Sequence, residues 1–218
     1  IPSHLSEIML GLVPADKPLW QHQQQAVYWM MRREGINLPR HFVPFWQRCD
    51  IASEDVTVWG NRAERRLVIG ERPDSYPSLR GGILALDTGM GKTLTVAVLI
   101  AMQLHFNRTE KTLIITRKSL LGQWESVIKS VCDHNLVYVV GDMKGIPRDV
   151  APIVRVVITT YGRLTDKGIF NNISFHRIVA DESQSLKSSG AKSGKRGVAK
   201  RAVKAAARSL KASAIPAA

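Results

Sequence analysis

The sequence predicts a doubly wound α/β domain built on a parallel sheet, and three observations support this. Short apolar runs rich in valine and isoleucine recur along the chain, as expected for strands that are buried on both faces. Helical patterns separate these runs, which favours parallel pairing through crossover helices. A glycine-bracketed turn lies between one apolar run and a long apolar segment, an order typical of strand, phosphate-binding loop and helix. With 218 residues, the chain is long enough for one such domain and extensions.

The predicted phosphate-binding loop lies in residues 80–93. Residues 83–86 would form the strand, and the helix would begin near Gly91. Gly89 and Gly91 can take the positive φ values that turn backbone N–H groups toward an anion. The first turn of the helix adds further unpaired N–H groups and its positive dipole end. An accidental turn is the alternative interpretation, but a Gly-Lys-Thr sequence seldom falls by chance between an apolar strand and a helix.

The side chains of this loop predict nucleotide chemistry. Lys92 would reach the β- and γ-phosphates, and the Thr93 hydroxyl would bind Mg²⁺. One position departs from the strict pattern, because Leu86 stands where glycine is usual. The predicted phosphate-binding residues are Asp87, Thr88, Gly89, Met90, Gly91, Lys92 and Thr93.

Four further apolar runs predict strands, at 112–116, 136–140, 154–161 and 175–182. A helix is predicted from Ser119, as its N-cap, to Ile128. The last strand ends in Asp181 and Glu182. In a parallel sheet, ligands bind beyond the carboxyl ends of the strands, so this pair and the phosphate-binding loop should face one crevice. We therefore predict that Asp181 binds the metal and that Glu182 polarises the attacking water.

The remaining segments predict the domain organisation. Residues 1–18 show little periodicity and are interpreted as a leader that packs on the domain or trails from it. Residues 19–34 have helical spacing at Val27, Met30 and Met31, with Gly35 as a stop and the glutamine run on the polar side. Residues 36–79 are too long for a plain loop and predict an insertion with some order of its own. The predicted domain covers 19–186, and residues 187–218 form a basic tail.

The charge distribution indicates a polyanionic partner. The net charge is +13, and residues 187–218 contain nine Lys/Arg and no acid. Nucleic acid is the expected partner, and a solvated tail without a specific partner is the alternative. No apolar stretch approaches the ~18–20 residues of a membrane span. Two cysteines, Cys49 and Cys132, provide neither a disulfide framework nor a metal cluster and fit a reducing compartment.

In their order along the chain, these blocks resemble the first ATPase lobe of the Swi/Snf-type, superfamily-two DNA translocases. Within that group the sequence is most similar to the branch of the helicase-like transcription factor and the post-replication-repair ubiquitin ligases. The resemblance rests on residues 19–34, on the aromatic segment 44–48, on motif I at 81–93, on the Gln123-Trp124 pair in 113–124, on 157–161, and on motif II at 177–182.

The resemblance implies a RecA-like P-loop NTPase lobe that takes ATP and Mg²⁺. Gln23 falls on the position that reads adenine. Duplex DNA would be contacted through its phosphate backbone, without base readout. The residues expected at that backbone are Arg117, Ser119, Thr159 and Thr160. The family further implies a nuclear chromatin-remodelling or DNA-repair protein, with nucleosomes or repair factors as additional partners.

Three departures from the family pattern stand out. Motif II ends in Ser183-Gln184 where Ala-His is usual, which puts the coupling of hydrolysis to movement in doubt. Arg117-Lys118 replaces a common proline and would strengthen contact with phosphate. The chain opens on Ile1-Pro2 and stops about where the next motif should begin. We therefore expect a fragment or processed product that lacks the second lobe and its arginine fingers, each worth ~10³–10⁵ in rate, and that hydrolyses ATP poorly alone.

Two other functions fit the sequence less well. One is a non-catalytic DNA-binding remnant that acts through its basic tail. The other is a P-loop NTPase of another family, which would need neither the Gln23 helix nor the Gln123-Trp124 pair.

Overall fold

The computed structural model describes residues 1–34, 36, 46–50, 57–61, 65–70, 81–106, 109–140, 146–163 and 173–183. Within these ranges, residues up to Val27 and from Leu86 onward form one compact unit, and those from Tyr28 to Ala85 form a second. The helix stop predicted at Gly35, the motif II variant Gln184 and the basic tail at 187–218 lie outside the described residues.

Between Lys92 and Val140 the described elements alternate as helix, strand, helix and strand, the order typical of an α/β fold. The helices are α1 (Ser3–Gly11), α2 (Gln21–Glu34), α3 (Lys92–Phe106) and α4 (Leu121–Val131). The strands are β1 (Trp46–Asp50), β2 (Thr57–Asn61), β3 (Arg66–Ile69), β4 (Thr112–Thr116), β5 (Val137–Val140), β6 (Val156–Thr160) and β7 (Arg177–Ala180). Short 3₁₀ turns, Lys118–Leu120 and His134–Leu136, precede α4 and β5.

The larger unit is built on a parallel four-stranded sheet in the order β5-β6-β4-β7. The strand β4 lies between β6 and β7, with Thr116 opposite Thr160 and Ile115 opposite Ala180. All five residues of β4 are buried, which requires covering layers on both faces of the sheet. The predicted α/β fold with a parallel sheet is therefore confirmed.

Apolar side chains from several strands fix the centre of this unit. One cluster joins Leu113 and Ile115 of β4 to Val157 of β6, Val140 of β5 and Phe175. The helix α4 contacts β5 and β6, and α3 contacts both α4 and α1. Nine consecutive residues of α3, from Thr95 to Gln103, are buried. A helix with so long a buried stretch is enclosed on nearly all sides, so α3 provides a rigid support for the loop that precedes it.

The smaller unit contains an antiparallel three-stranded sheet in the order β1-β2-β3. These strands fall inside residues 36–79, where the sequence predicted local order. Trp59 of β2 donates a hydrogen bond from its indole nitrogen to the Gly70 carbonyl, at 3.2 Å.

The strand predicted at 83–86 is not formed. Residues 81–87 have no regular secondary structure, and the Ile83 side chain is 82% exposed. Side chains engage several carbonyls of this run, because Arg33 donates to Gly81 at 2.9 and 3.1 Å and Lys92 donates to Leu86 and Asp87 at 2.9 and 3.0 Å. An apolar pattern cannot reveal whether a run meets a pairing strand, and here the Leu86 carbonyl accepts from a side chain instead of from a neighbouring strand.

Two further expectations are corrected. Ser119 does not cap a helix, because it lies inside the 3₁₀ turn and α4 begins two residues later without a side-chain cap. Residues 1–18 contain the helix α1, whose Leu5 and Met9 are completely buried. The prolines of this segment had hidden the helix in the sequence. Pro2 is the N-cap of α1, where its missing N–H costs nothing, and Pro14 and Pro18 follow the end of the helix.

No helix in the described part of the chain is both long and apolar enough to cross a membrane.

Burial of α1 leads to a stability prediction. Leu5 is 0% exposed and Leu10 is 41% exposed, so Leu5→Ala should lower the free energy of unfolding by about 2–5 kcal/mol and Leu10→Ala by much less. Urea unfolding monitored by circular dichroism measures both changes. Equal effects of the two substitutions would contradict the packing of α1.

Candidate nucleotide-binding and nucleic-acid-facing site

The loop at residues 87–91 has the backbone conformation that the sequence predicted. Gly89 and Gly91 have φ values of +83° and +73°, which side-chain-bearing residues seldom adopt. The Met90 N–H donates to the Asp87 carbonyl at 3.3 Å and closes the turn. α3 begins immediately after the loop, at Lys92. Glycine-Lys-Thr therefore connects a left-handed turn to the start of a buried helix.

The loop presents a set of donors that suits a phosphate. Among the described residues, the backbone N–H groups of Gly89, Gly91, Lys92 and Thr93 have no hydrogen-bond partner. These groups belong to the turn and to the first turn of α3, where partners within the helix are lacking. The Lys92 ammonium lies against the same loop through its bonds to the Leu86 and Asp87 carbonyls. Donors and a cation are thus concentrated at one helix N-terminus.

Gln23 lies on the buried side of α2 and contacts the loop directly. It is 5% exposed and shares a helical stripe with Val27 and Met31, both completely buried. Its assignment to the polar side of the helix is therefore wrong. The Gln23 amide nitrogen donates to the Met90 carbonyl at 3.3 Å, while its oxygen accepts from the Trp20 N–H at 2.9 Å.

Close contact with Gln23 explains a second requirement for glycine at position 91. A Cβ atom on Gly91 would lie 2.2 Å from the Gln23 side-chain nitrogen. The positive φ and the missing side chain are thus needed at the same residue. Gly89 has only the conformational requirement, since a Cβ there would meet nothing within 4 Å.

Two donors hold the Asp181 carboxylate. Its Oδ2 accepts from the Thr116 hydroxyl at 2.7 Å and from the Trp124 indole N–H at 2.9 Å. Thr116 is the last residue of β4, Trp124 is a buried residue of α4, and Asp181 directly follows β7. Charge-assisted bonds from two elements fix the orientation of the carboxylate. No described residue donates a hydrogen bond to Oδ1.

Tyr161, directly after β6, lies against the same group. Its hydroxyl donates to the Asp181 backbone carbonyl. Burial raises the pKa of Tyr161 to about 12, the carboxylates of Asp181 and Glu182 add to the increase, and Arg117 opposes it. The ends of β4, β6 and β7 are therefore close enough for their charges to interact.

Glu182 forms an ion pair across the strand ends. Its Oε2 lies 3.9 Å from an Arg117 guanidinium nitrogen, and the two side chains are 38% and 57% exposed. Glu182 has φ +52°, which is uncommon for a residue other than glycine.

The predicted DNA-facing residues have different environments. Arg117 and Ser119 are exposed and Thr160 is half-buried. Thr159 is completely buried, and its hydroxyl points to the Val140 carbonyl at 3.5 Å. The side chain of Thr159 therefore has no surface for DNA, and we remove it from the predicted set.

Arg117, Thr160, Asp181 and Glu182 all lie at the carboxyl ends of β4, β6 and β7, at one edge of the sheet. Among the described residues, no hydrogen bond or ion pair joins this edge to Lys92 or Thr93. A common crevice for the phosphate-binding loop and the carboxylates stays a prediction. Sequence reasoning missed the roles of Thr116, Trp124 and Tyr161. Of these residues, only Trp124 had been singled out in the sequence, as part of the Gln123-Trp124 pair, and that pattern did not indicate a hydrogen bond to Asp181.

The donors and acceptors present are compatible with a nucleotide and a magnesium ion. The loop offers N–H groups and an ammonium for phosphate oxygens. The Thr93 hydroxyl and Asp181 Oδ1 have no partner among the described residues, and both are oxygen ligands of the kind that Mg²⁺ prefers. The described residues contain no cluster of three or more His, Cys, Asp or Glu side chains that could hold a metal by themselves, so any metal here would also need ligands from the nucleotide or water.

The carboxylate cradle leads to a second stability prediction. Thr116→Val removes one donor to Asp181 with little change of shape, and should lower the free energy of unfolding by about 1.5–3 kcal/mol because the acceptor is charged. Thr160→Val is the matched control, since Thr160 faces Thr116 across the ladder and its hydroxyl has no partner among the described residues. Urea unfolding measures the free energy of unfolding of both variants. Equal decreases would show that the hydrogen bond from Thr116 to Asp181 does not stabilise the fold.

Comparison with known proteins places this chain in a family. A model described as the SNF2-related domain matches residues 22–208. The chain is 30% identical over 213 residues to the DNA repair protein RAD5B of Arabidopsis thaliana, covering 77% of this chain and 16% of that protein. It is 38% identical over 94 residues to the helicase-like transcription factor of Homo sapiens, covering 43% and 8% of the two chains. It thus spans less than a fifth of either relative.

A solved structure shows the same fold. The Sulfolobus solfataricus SWI2/SNF2 ATPase core, determined in complex with double-stranded DNA, superposes with a TM-score of 0.51 at 20% identity. The superposition covers 86% of this chain and 30% of the Sulfolobus chain. These matches confirm the family that the ordered motifs predicted, and they exclude the alternative of an unrelated P-loop NTPase. The chain belongs to the SNF2-related domain family.

Proposed function

We propose that this chain is the ATP-binding lobe of an ATP-dependent, DNA-stimulated translocase that acts in chromatin remodelling or DNA repair in the nucleus. The observation that carries the proposal is the loop of residues 87–93, where the Lys92 ammonium and N–H groups that lack a partner among the described residues lie at the start of a buried helix. Such a site suits a polyphosphate, and the family relationship to repair proteins suggests the context.

In this proposal each side chain has a separate task. Lys92 would exchange its bonds to the Leu86 and Asp87 carbonyls for bonds to phosphate oxygens. Thr93 and Asp181 would hold Mg²⁺, which when bound neutralises charge on the transferred phosphoryl group. Glu182 would orient the attacking water and accept its proton. Thr116 and Trp124 would keep Asp181 in position, so that no reorientation is needed during the reaction.

Gln23 would act mainly through the loop. Its amide is already bonded to Met90 and Trp20, so it supports the loop that receives the phosphates. Base readout by Gln23, which the resemblance implies, would require it to exchange one of these bonds for the adenine.

Duplex DNA would lie along the edge that carries Arg117, Ser119 and Thr160. Arg117 and Ser119 are exposed there, and a guanidinium with hydroxyls is a usual set for phosphate contacts. Contacts of this kind would position the lobe on DNA without selecting a sequence. Nucleosomes and repair factors remain proposed partners of the longer protein.

Lys92→Ala tests nucleotide binding. The substitution removes the cation of the loop and should weaken binding of a fluorescent ATP analogue with Mg²⁺ by at least about tenfold, the usual worth of a charged hydrogen bond. Equilibrium titration measures this, with Lys17→Ala as a control that removes the same charge from an exposed turn. Failure of the folded wild-type chain to bind would refute the proposal and favour a DNA-binding remnant.

Gln23→Glu tests the support of the loop. Glutamate has nearly the same shape but cannot donate to the Met90 carbonyl, and its charge would repel that oxygen and incoming phosphates. Affinity for the ATP analogue should fall by about tenfold. Gln25→Glu adds the same charge at an exposed position of the same helix and should have little effect. A similar loss in both variants would indicate general repulsion instead.

A further inference from the structure

Arg117 and Glu182 occupy the ends of two neighbouring strands. Arg117 is the first residue after β4 and Glu182 is the second after β7. These strands are parallel and paired, with Ile115 opposite Ala180. Both side chains therefore emerge at the carboxyl edge of the sheet, where they form the 3.9 Å ion pair.

The backbone of Glu182 gives this carboxylate an unusual direction. Its φ of +52° lies in the left-handed region, which a glutamate adopts only when its surroundings hold it there. Arg117 is a charged group of those surroundings that can also bind another anion. A change at Arg117 would thus be felt by the carboxylate that the proposed function assigns to the attacking water.

The Arg117 guanidinium can replace its Glu182 partner with another anion. A guanidinium binds carboxylate and phosphate with the same planar set of donors, and the Arg117 side chain is 57% exposed to solvent. An exposed ion pair is weak, so a DNA phosphate can compete for Arg117. Glu182 and Asp181 would themselves repel that phosphate. The Glu182 carboxylate and the DNA phosphate would therefore compete for Arg117.

We propose that Arg117 is a positioning residue shared between Glu182 and a phosphate of duplex DNA. Without DNA it forms the ion pair with the Glu182 carboxylate. A bound phosphate draws the guanidinium away and ends this ion pair, which changes the charge around the carboxylate that would orient water. This inference rests on the proposed function and adds a route by which DNA stimulates the ATPase.

Competition for one guanidinium must be reciprocal, because coupling between two binding events acts equally in both directions. Removal of the Glu182 charge should therefore strengthen DNA binding more when Arg117 is present than when it is absent. This consequence is measured on DNA affinity and does not depend on ATP hydrolysis.

The test is a double-mutant cycle with a short fluorescent duplex at about 50 mM salt, where phosphate contacts are strong. Glu182→Gln should tighten DNA binding about two- to fivefold, the size expected for release of an exposed ion pair. Arg117→Ala should weaken binding and reduce the salt slope by about 1. In the Arg117→Ala background, Glu182→Gln should give no more than the gain from Asp149→Asn, an exposed acid in the turn before β6. Arg117→Lys should restore part of the coupling.

Equal gains from Glu182→Gln with and without Arg117 would overturn the proposal, because they would reflect general loss of negative charge. It is also overturned if Arg117→Ala binds DNA like Arg148→Ala, a control at an exposed arginine before β6, or if Glu182→Gln has no effect. Titration with the ATP analogue is a separate measurement. If the chain does not bind the ATP analogue but the double-mutant cycle shows the expected coupling, the proposed ATPase function is rejected and the sharing of Arg117 is retained. If the chain binds the analogue but the cycle shows no coupling, only the sharing of Arg117 is rejected.

Discussion

The pairing of β4 with β7 is the constraint on which the carboxylate half of the site depends. It places Ile115 opposite Ala180, and the ladder continues through the Asp181 N–H, which donates to the Ile115 carbonyl at 2.9 Å. In this register the Thr116 hydroxyl reaches the Asp181 carboxylate. A shift by one residue would turn every side chain of a strand to the opposite face. The apolar residues that bury β4 and set its register therefore also help to fix the position of a charged group.

The loop half of the site depends on a different support. Nine buried residues anchor α3 in the larger unit, and the loop ends where this helix begins. Gln23 and Gly91 then form a pair in which each restricts the other, because the amide occupies the space that a side chain at 91 would need. The buried helix, the buried glutamine and the left-handed glycine together constrain the loop, whose N–H groups at 89 and 91 have no partner in the part of the chain that the structure describes. Such preorganisation reduces the free energy that is otherwise spent on ordering a loop when an anion binds.

The two carboxylates at the strand ends are bound in different ways. Asp181 is held by two hydrogen bonds from buried groups, whereas Glu182 has a longer ion pair with an exposed arginine. The difference would suit the two proposed tasks, since a metal ligand benefits from a fixed position and a group that orients water benefits from mobility. Tyr161 follows β6 at the same edge, and its hydroxyl donates to the Asp181 backbone carbonyl.

The sequence by itself determined the fold class, the strands β4 to β7, the glycine conformations and the acidic pair at a strand end. These features follow from local rules, namely apolar periodicity, the φ freedom of glycine and the polarity of parallel strands. Tertiary structure decided the rest. It left residues 83–86 without a strand, made a helix of residues 3–11, buried Thr159, and placed Gln23 against Gly91 and Trp124 against Asp181. Each of these outcomes depends on which distant segment lies alongside, and no local pattern in the chain records that neighbour.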